Sequence, residues 1–462
     1  MRRYLGWVAL LAALFAIRYT HRNILWVEEA YPAAAAIQMD YGRVLYNDIQ
    51  FDKPPLSAAV YRLWGGKVGW PLRLAGAIYV TLCCLLTHMV ARHWWGLREA
   101  WMAALLLAFY LTFGIPAAVM ALAPDLLSLL PTLAAVLALL RGHGAVAGLC
   151  LGLALGCNGK TAVLAPLLLF GGGLPSKTIG LVGGIGLALP LTGLGASPAA
   201  MWEQVWSWGT VYSRDSPLTA PIHEGLTRTL AWCGFHAAAV VASGWLYFRE
   251  RSEAARVLAV WTALALVMVW LGLRFAPRYY LVLLPCIALA GARGLCLMPS
   301  LAQQATLALL FIPAARFGPK YAELAVETQM DWSDTAMNRD SEVAARLIGT
   351  KAKPGDTILV WGYRPDILVY TRLRSGTPFL DSQPLTGVLA DRHLNRSDVT
   401  FPLLAEHNRA RLSALSPTWV VDGLGPYNPQ LAIAKYPDLA AWLERYVQVG
   451  DTAGTRIYRL RQ

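Results

Sequence analysis

Apolar residues run in long blocks through the first two-thirds of the chain and in short alternating runs after that. A helix needs about 20 apolar residues to cross roughly 30 Å of hydrocarbon. The first block, 4–17, follows Met1-Arg2-Arg3. It continues into Arg18-Tyr-Thr-His-Arg22 without a small-residue cleavage site, so it reads as an uncleaved span with a cytoplasmic N-terminus. Ten further blocks follow at 72–90, 101–113, 122–140, 145–156, 162–170, 179–194, 229–248, 257–273, 280–297 and 302–314. The pattern predicts a polytopic α-helical membrane protein with about 11 transmembrane helices. Several blocks are short, so merging or splitting shifts that count by up to two, chiefly around 122–170.

An odd number of spans that starts inside places the C-terminal tail outside, in the periplasm or extracellular space. Loop charge follows the same alternation. Outside loops hold Glu28, Glu29, Asp40, Asp48, Asp52, Asp125, Glu203, Asp215 and Glu224, nine of the twelve acids before Phe317. Arg22, Arg43, Lys53, Arg62 and Lys67 in the first outside loop run against the positive-inside rule. Two outside loops are long, 20–71 and 195–228. Trp202, Trp206 and Trp208 in the second suit an interfacial helix.

From 317 the pattern changes. A helix at 341–348, strands at 356–361 and 419–421, a helix at 439–446 and a terminal hairpin at 447–460 predict a small α/β domain. The expected organisation is a membrane domain over 1–316 and an outside α/β domain over 317–462.

Composition agrees with this division. The chain has 462 residues, 56% hydrophobic and 15% charged, against about 25% charged in soluble domains. Residues 1–316 carry 23 Lys/Arg and 12 Asp/Glu, and residues 317–462 carry 17 and 16. The basic excess therefore lies among the spans, where it suits anionic lipids and phosphates rather than nucleic acid. The seven cysteines all lie before residue 317, with no Cys-x-x-Cys pair. The histidines form no ligand pattern, so no metal ligand and no cofactor are assigned, and a divalent metal stays open.

The first outside loop carries the richest chemistry. Glu28-Glu29-Ala30-Tyr31 closes the first span, and Phe51-Asp52-Lys53-Pro54-Pro55 re-enters apolar sequence. The acid pair also fits a plain helix start, and Lys53 a snorkelling boundary lysine. Later come Trp70-Pro-Leu-Arg73, Ala123-Pro124-Asp125, Asn158-Gly159-Lys160 and Pro277-Arg278-Tyr279-Tyr280. An acid entering a span, as Asp125 does, is a functional candidate, with a helix cap as its plain alternative.

Taken together, these motifs resemble the GT-C glycosyltransferases, specifically the protein-mannosyltransferase and aminoarabinose-transferase relatives of glycosyltransferase family 39. That family has an acidic pair followed by Ala-Tyr after its first span and a (Phe/His)-(Asp/Glu)-Lys-Pro-Pro motif further on. The resemblance implies that Glu28 occupies the position of the family's catalytic Asp, one methylene longer, with Glu29 as its supporting neighbour. It implies an inverting transfer of sugar from a polyprenyl phosphate to a hydroxyl acceptor on protein, lipid A or glycan, in a bacterial inner membrane.

Such a transfer needs a base near the acceptor proton and positive charge for the departing phosphate. Lys53, Arg274 and Arg278 are candidates for the phosphate; Asp52, Asp125, Lys160 and Tyr279 are further site candidates. The partners expected are the lipid-linked sugar, the acceptor and the bilayer. Two other readings compete. A lipid-sugar flippase would show two related halves, which the chain lacks. A membrane-anchored binding protein would act through its tail, where no catalytic set is visible.

Overall fold

The computed structural model describes residues 2–170, 173–192, 196–214, 219–326 and 333–461. Asp215, among the acids expected in the second outside loop, lies outside them. By length and composition, three described helices can cross a membrane: Trp70–Trp94, Glu253–Trp270 and Pro277–Leu297. A fourth span arises if Pro221–Phe235 and Ala237–Arg249, bent by 92° at their junction, count as one. Tyr4–Tyr19, Pro124–Leu140, Gly144–Cys157 and Gly159–Leu169 are apolar but shorter. The eleven expected spans therefore include segments too short to pass as straight crossings. The block at 302–314, for example, is divided between Ser300–Ala308 and Phe311–Ala325.

Small residues bring these helices close. A Cβ on Gly148 would stand 1.9 Å from the Lys177 carbonyl oxygen, and one on Gly184 2.2 Å from that of Leu149. The Gly144–Cys157 and Leu174–Ala188 helices therefore touch backbone to backbone, as membrane helices with small residues at four-residue spacing do. The Ala237–Arg249 and Leu284–Leu297 helices meet in the same way, with a Cβ on Gly294 falling 1.7 Å from the Ala242 carbonyl oxygen.

The C-terminal sheet has five strands: β1 (Thr357–Trp361), β2 (Arg374–Ser375), β3 (Trp419–Asp422), β4 (Tyr446–Asp451) and β5 (Arg456–Leu460). Their order is β2-β1-β3-β5-β4. β2, β1 and β3 are parallel, and β5 runs antiparallel to both β3 and β4. The expected strands and hairpin are present, and the helix at 341–348 lies within Ser333–Gly349. The helix expected at 439–446 shrinks to Ala440–Leu443, because Tyr446 is drawn into the ladder opposite Leu460.

The expected division at 316/317 falls inside the Phe311–Ala325 helix. Its Tyr321 hydroxyl donates to the Thr112 and Gly114 carbonyls, so this helix belongs to the membrane part. Between that part and the α/β domain lies the Val27–Asp40 helix, buried along most of its length. Its Gln38 carboxamide donates to the Leu373 carbonyl at 3.1 Å and accepts from Ser375 N–H at 2.7 Å, extending the exposed edge of β2. Arg43 adds bonds to the Ser375 and Thr377 carbonyls at 2.8 and 2.9 Å. The α/β domain is thus docked by backbone recognition onto the helix that starts with the acid pair.

Candidate active site

Glu28 stands in the first turn of the Val27–Asp40 helix, where acids favour the helix dipole. Facing it is a turn that opens the Pro277–Leu297 segment. Pro277 fixes the backbone there and a 3₁₀ stretch, Pro277–Leu283, presents Arg278. The Arg278 Nη1 donates to Glu28 Oε1, and its Nε lies 3.5 Å from Asp125 Oδ2. Asp125 Oδ1 accepts from Asn158 Nδ2 at 2.9 Å, and Asn158 Oδ1 accepts from the Lys160 backbone N–H at 3.0 Å. The Lys160 ammonium sits 3.5 Å from the centre of the Tyr279 ring. Asp125 is not an N-cap; it lies inside the Pro124–Leu127 turn, whose cap is Ala123.

Lys53 donates to Asp52 at 2.9 Å and lies within electrostatic reach of Arg278 and Tyr279. Burial opposes its charge, but Asp52 outweighs that cost and holds its pKa above the ordinary lysine value. Glu28, Asp52 and Asp125 therefore face Lys53, Lys160 and Arg278, three carboxylates against three cations.

Two expected residues are placed elsewhere. Glu29 does not share Glu28's surroundings, because consecutive helical residues point about 100° apart. It is fully buried and takes a fork of bonds from Arg73, Nη1 to Oε1 at 3.1 Å and Nη2 to Oε2 at 2.6 Å. It also accepts from the backbone N–H groups of Leu122 and Trp26 at 3.2 and 3.3 Å. Glu29 is therefore a buried structural anion rather than the neighbour that tunes Glu28. Arg274, expected at the phosphate, pairs with Asp391 of the α/β domain and lies 3.4 Å over the Tyr212 ring.

The α/β domain adds residues that the sequence reading did not single out. Tyr363, just after β1, stacks at 5.9 Å on Tyr31 and lies within electrostatic reach of Glu28, Asp52 and Asp381. Asp381 is buried, and burial lifts its pKa to about 7. Asp52 adds to that rise, while the Gln383 N–H and Lys53 oppose it. Tyr363 lies at the carboxyl end of β1, where parallel sheets place ligands, but the pairing that makes β1 parallel is seen only in the fold. Among the described residues no three His, Cys, Asp or Glu side chains form a metal-sized group.

Pro277, next to Arg278, also helps to wall an apolar cavity of about 770 Å³. Trp26, Phe275, Pro277, Tyr280, Leu281 and Leu284 are among its walls. Arg228, Arg316 and Lys320 are its positive residues, and no acid lines it.

No known sequence family and no curated protein matches the chain. Solved structures do. ArnT from Cupriavidus metallidurans bound to undecaprenyl phosphate superposes with a TM-score of 0.64 at 14% identity, covering 98% of each chain. The same protein in the apo state gives 0.61, over 99% of this chain and 98% of that one. The archaeal oligosaccharyltransferase AglB from Archaeoglobus fulgidus gives 0.48 at 13% identity, over 100% of this chain and 75% of that one. Over nearly the whole length of both chains, this chain shares the fold of that ArnT structure.

Proposed function

We propose that the chain is an inverting glycosyltransferase that moves a sugar from a polyprenyl-phosphate donor to a hydroxyl acceptor at the outer face of a bacterial inner membrane. The observation that carries this reading is the Glu28–Arg278–Asp125 contact, formed on segments whose Trp26 and Pro277 help to wall an apolar cavity. A carboxylate base lies two residues from Trp26, and an arginine for phosphate one residue from Pro277, in the wall of a space fit for a lipid chain. The likeness to an ArnT structure bound to undecaprenyl phosphate supports the same donor class.

In the free protein the cluster is charge-balanced. An arriving phosphate competes with Glu28 for the Arg278 guanidinium, since Arg binds either anion through the same forked donors. Donor binding thereby frees Glu28. The acceptor hydroxyl then gives its proton to Glu28, and its oxygen forms a bond to the anomeric carbon. The bond from that carbon to the phosphate oxygen breaks, and the phosphate leaves with the electron pair. Arg278 and Lys53 hold the anion that departs. Attack from the face opposite the phosphate inverts the anomeric configuration. Lys160, stacked on Tyr279, fixes the ring beside Arg278 and keeps Asn158 on Asp125.

The test is transfer by the purified full chain from labelled polyprenyl-phosphate sugars to hydroxyl-bearing acceptors, with donor hydrolysis followed in parallel. Release of sugar from at least one donor, strongly weakened at limiting donor in Arg278→Ala, is expected. Inert behaviour toward every lipid-linked sugar in the panel would overturn the proposal.

A further inference from the structure

Trp26, two residues before Glu28, borders two different spaces. On one side is the apolar cavity described above, and on the other a pocket of about 170 Å³ shared with the α/β domain. The second pocket lies at the carboxyl ends of the parallel strands: Tyr363 and Arg364 follow β1 after Gly362, and Gly423 and Leu424 follow β3. With the order β2-β1-β3, the chain leaves β1 toward one neighbour and later returns to the other side. Open α/β sheets bind ligands where the strand order reverses, outside the carboxyl ends.

The lining is mostly apolar, with a few polar groups among it, and Arg364 and Asp366 leave it no surplus charge. Arg364 is buried and satisfied by Ser341, Asp340 and the Met337 and Gly454 carbonyls. Asp366 accepts from Asn338 Nδ2 at 3.2 Å. His393 is 2% exposed. Its Nε2 bonds the Val388 carbonyl at 2.9 Å, which assigns the proton to that nitrogen. Burial lowers its pKa to about 4, so the imidazole is neutral, and its Nδ1 has no hydrogen-bond partner. A phosphate or carboxylate would find no free cation there. A neutral ligand rich in hydroxyl groups would find acceptors, and Trp26 and Tyr363 offer it aromatic walls. The volume corresponds to about six waters, the scale of a single sugar ring.

We propose that this pocket is the acceptor subsite and that it holds a neutral sugar ring, so that the acceptor is a glycan. The inference rests on the function proposed above. Trp26 separates the two spaces two residues before Glu28, and Tyr363 of this pocket lies within electrostatic reach of Glu28, so a lipid donor and a water-soluble sugar would approach that carboxylate from different sides.

The experiment uses the full chain in nanodiscs with methyl pyranosides of glucose, galactose and mannose as probes, read by saturation-transfer NMR. At least one pyranoside should bind, and Ala390→Phe, which fills the pocket, should weaken it by at least about tenfold. Leu394→Trp at the exposed rim gives a second variant, and thermal melting confirms that each is folded. No binding by wild type, or equal binding by a folded Ala390→Phe or Leu394→Trp variant, overturns the proposal. So does a Ser/Thr peptide that binds where no pyranoside does. Donor hydrolysis by the wild type reports the underlying function separately: hydrolysis with no pyranoside binding removes the subsite and leaves the glycosyltransferase reading standing.

Discussion

Glu28 and Glu29 are neighbours in sequence, yet their substitution should fail in opposite ways. Glu29 accepts four hydrogen bonds, two from Arg73 and one each from the Leu122 and Trp26 amides. Its side chain is 0% exposed and that of Arg73 is 1%. Glu29→Gln removes the charge and half of the fork, leaving a buried guanidinium without a counter-ion. Breaking such a pair from one side costs about 3–5 kcal/mol. Glu28 is 19% exposed, and its partner Arg278 keeps Asp125. Glu28→Gln preserves shape and an acceptor oxygen, so it should cost no more than about 1.5 kcal/mol of stability. Its effect falls on the chemistry: loss of a general base lowers turnover by about 10²–10⁴-fold. The assay pairs thermal melting of each purified variant with transfer per folded molecule. Glu28→Gln should melt near wild type and be inactive; Glu29→Gln should melt several degrees lower, its folded fraction still turning over. A stable but inactive Glu29→Gln beside an active Glu28→Gln would show that the base is Glu29.

Arg278→Ala and Lys53→Ala should each weaken donor use by about 10–150-fold in KM, the equivalent of one charge-assisted bond at about 1.5–3 kcal/mol; wild-type turnover at limiting donor in both would remove the phosphate assignment. Asp381, with its pKa raised by burial from 3.8 to about 7, is protonated more readily in the folded than in the unfolded chain. Stability should therefore fall as pH rises from about 4 to 7, by about 4 kcal/mol in total, and stay low above that. Asp381→Asn should flatten this dependence, and melting curves at pH 5 and 8 that are alike in wild type would contradict it. A reporter active only in the cytoplasm, fused after Gln462, should stay silent, whereas a bright signal would reverse the proposed orientation.

Much of the fold was legible because burial in lipid leaves a compositional trace that needs no partner. The apolar blocks, the change of pattern after the membrane part and the strands at 357–361 and 419–422 all declare themselves locally. The span count was less so: Gly and Pro let helices break, and a break is decided by what packs against it. Of the site, Glu28, Asp125, Lys160, Arg278 and Tyr279 were named from motifs, and the fold brings them together across up to 250 residues. The failure at Glu29 has a clear physical source. Two adjacent carboxylates look alike in a motif, but helix geometry sends them to different sides, and the Arg73 that claims Glu29 is 44 residues away. Tyr363, Asp381 and Asp391 were invisible for a related reason, since their meaning comes only from docking against the membrane part.

That docking bears on why Arg278 points where it does. Gly272, Leu273 and Phe275 all have positive φ, +89°, +49° and +50°. For Leu273 and Phe275 the left-handed region costs about 1–3 kcal/mol each, so the loop must be held by its surroundings. Phe275 is held by burial: it is 1% exposed, packs edge-on against Trp270 at 4.9 Å, and presses so closely on Gly225 that a Cβ there would stand 2.4 Å from its ring. Arg274 is held from the other side, by Asp391 of the α/β domain and by the ring and carbonyl of Tyr212. The strained loop leads directly into Pro277 and Arg278. Its conformation is therefore set jointly by the membrane core and the C-terminal domain, and neither alone supplies both holds. The proposed exchange of one anion for another at Arg278 suits such a segment. The segment is rigid enough to aim the guanidinium at Glu28, yet it borrows part of its rigidity from contacts with Tyr212 and Asp391 at the edge of the same site.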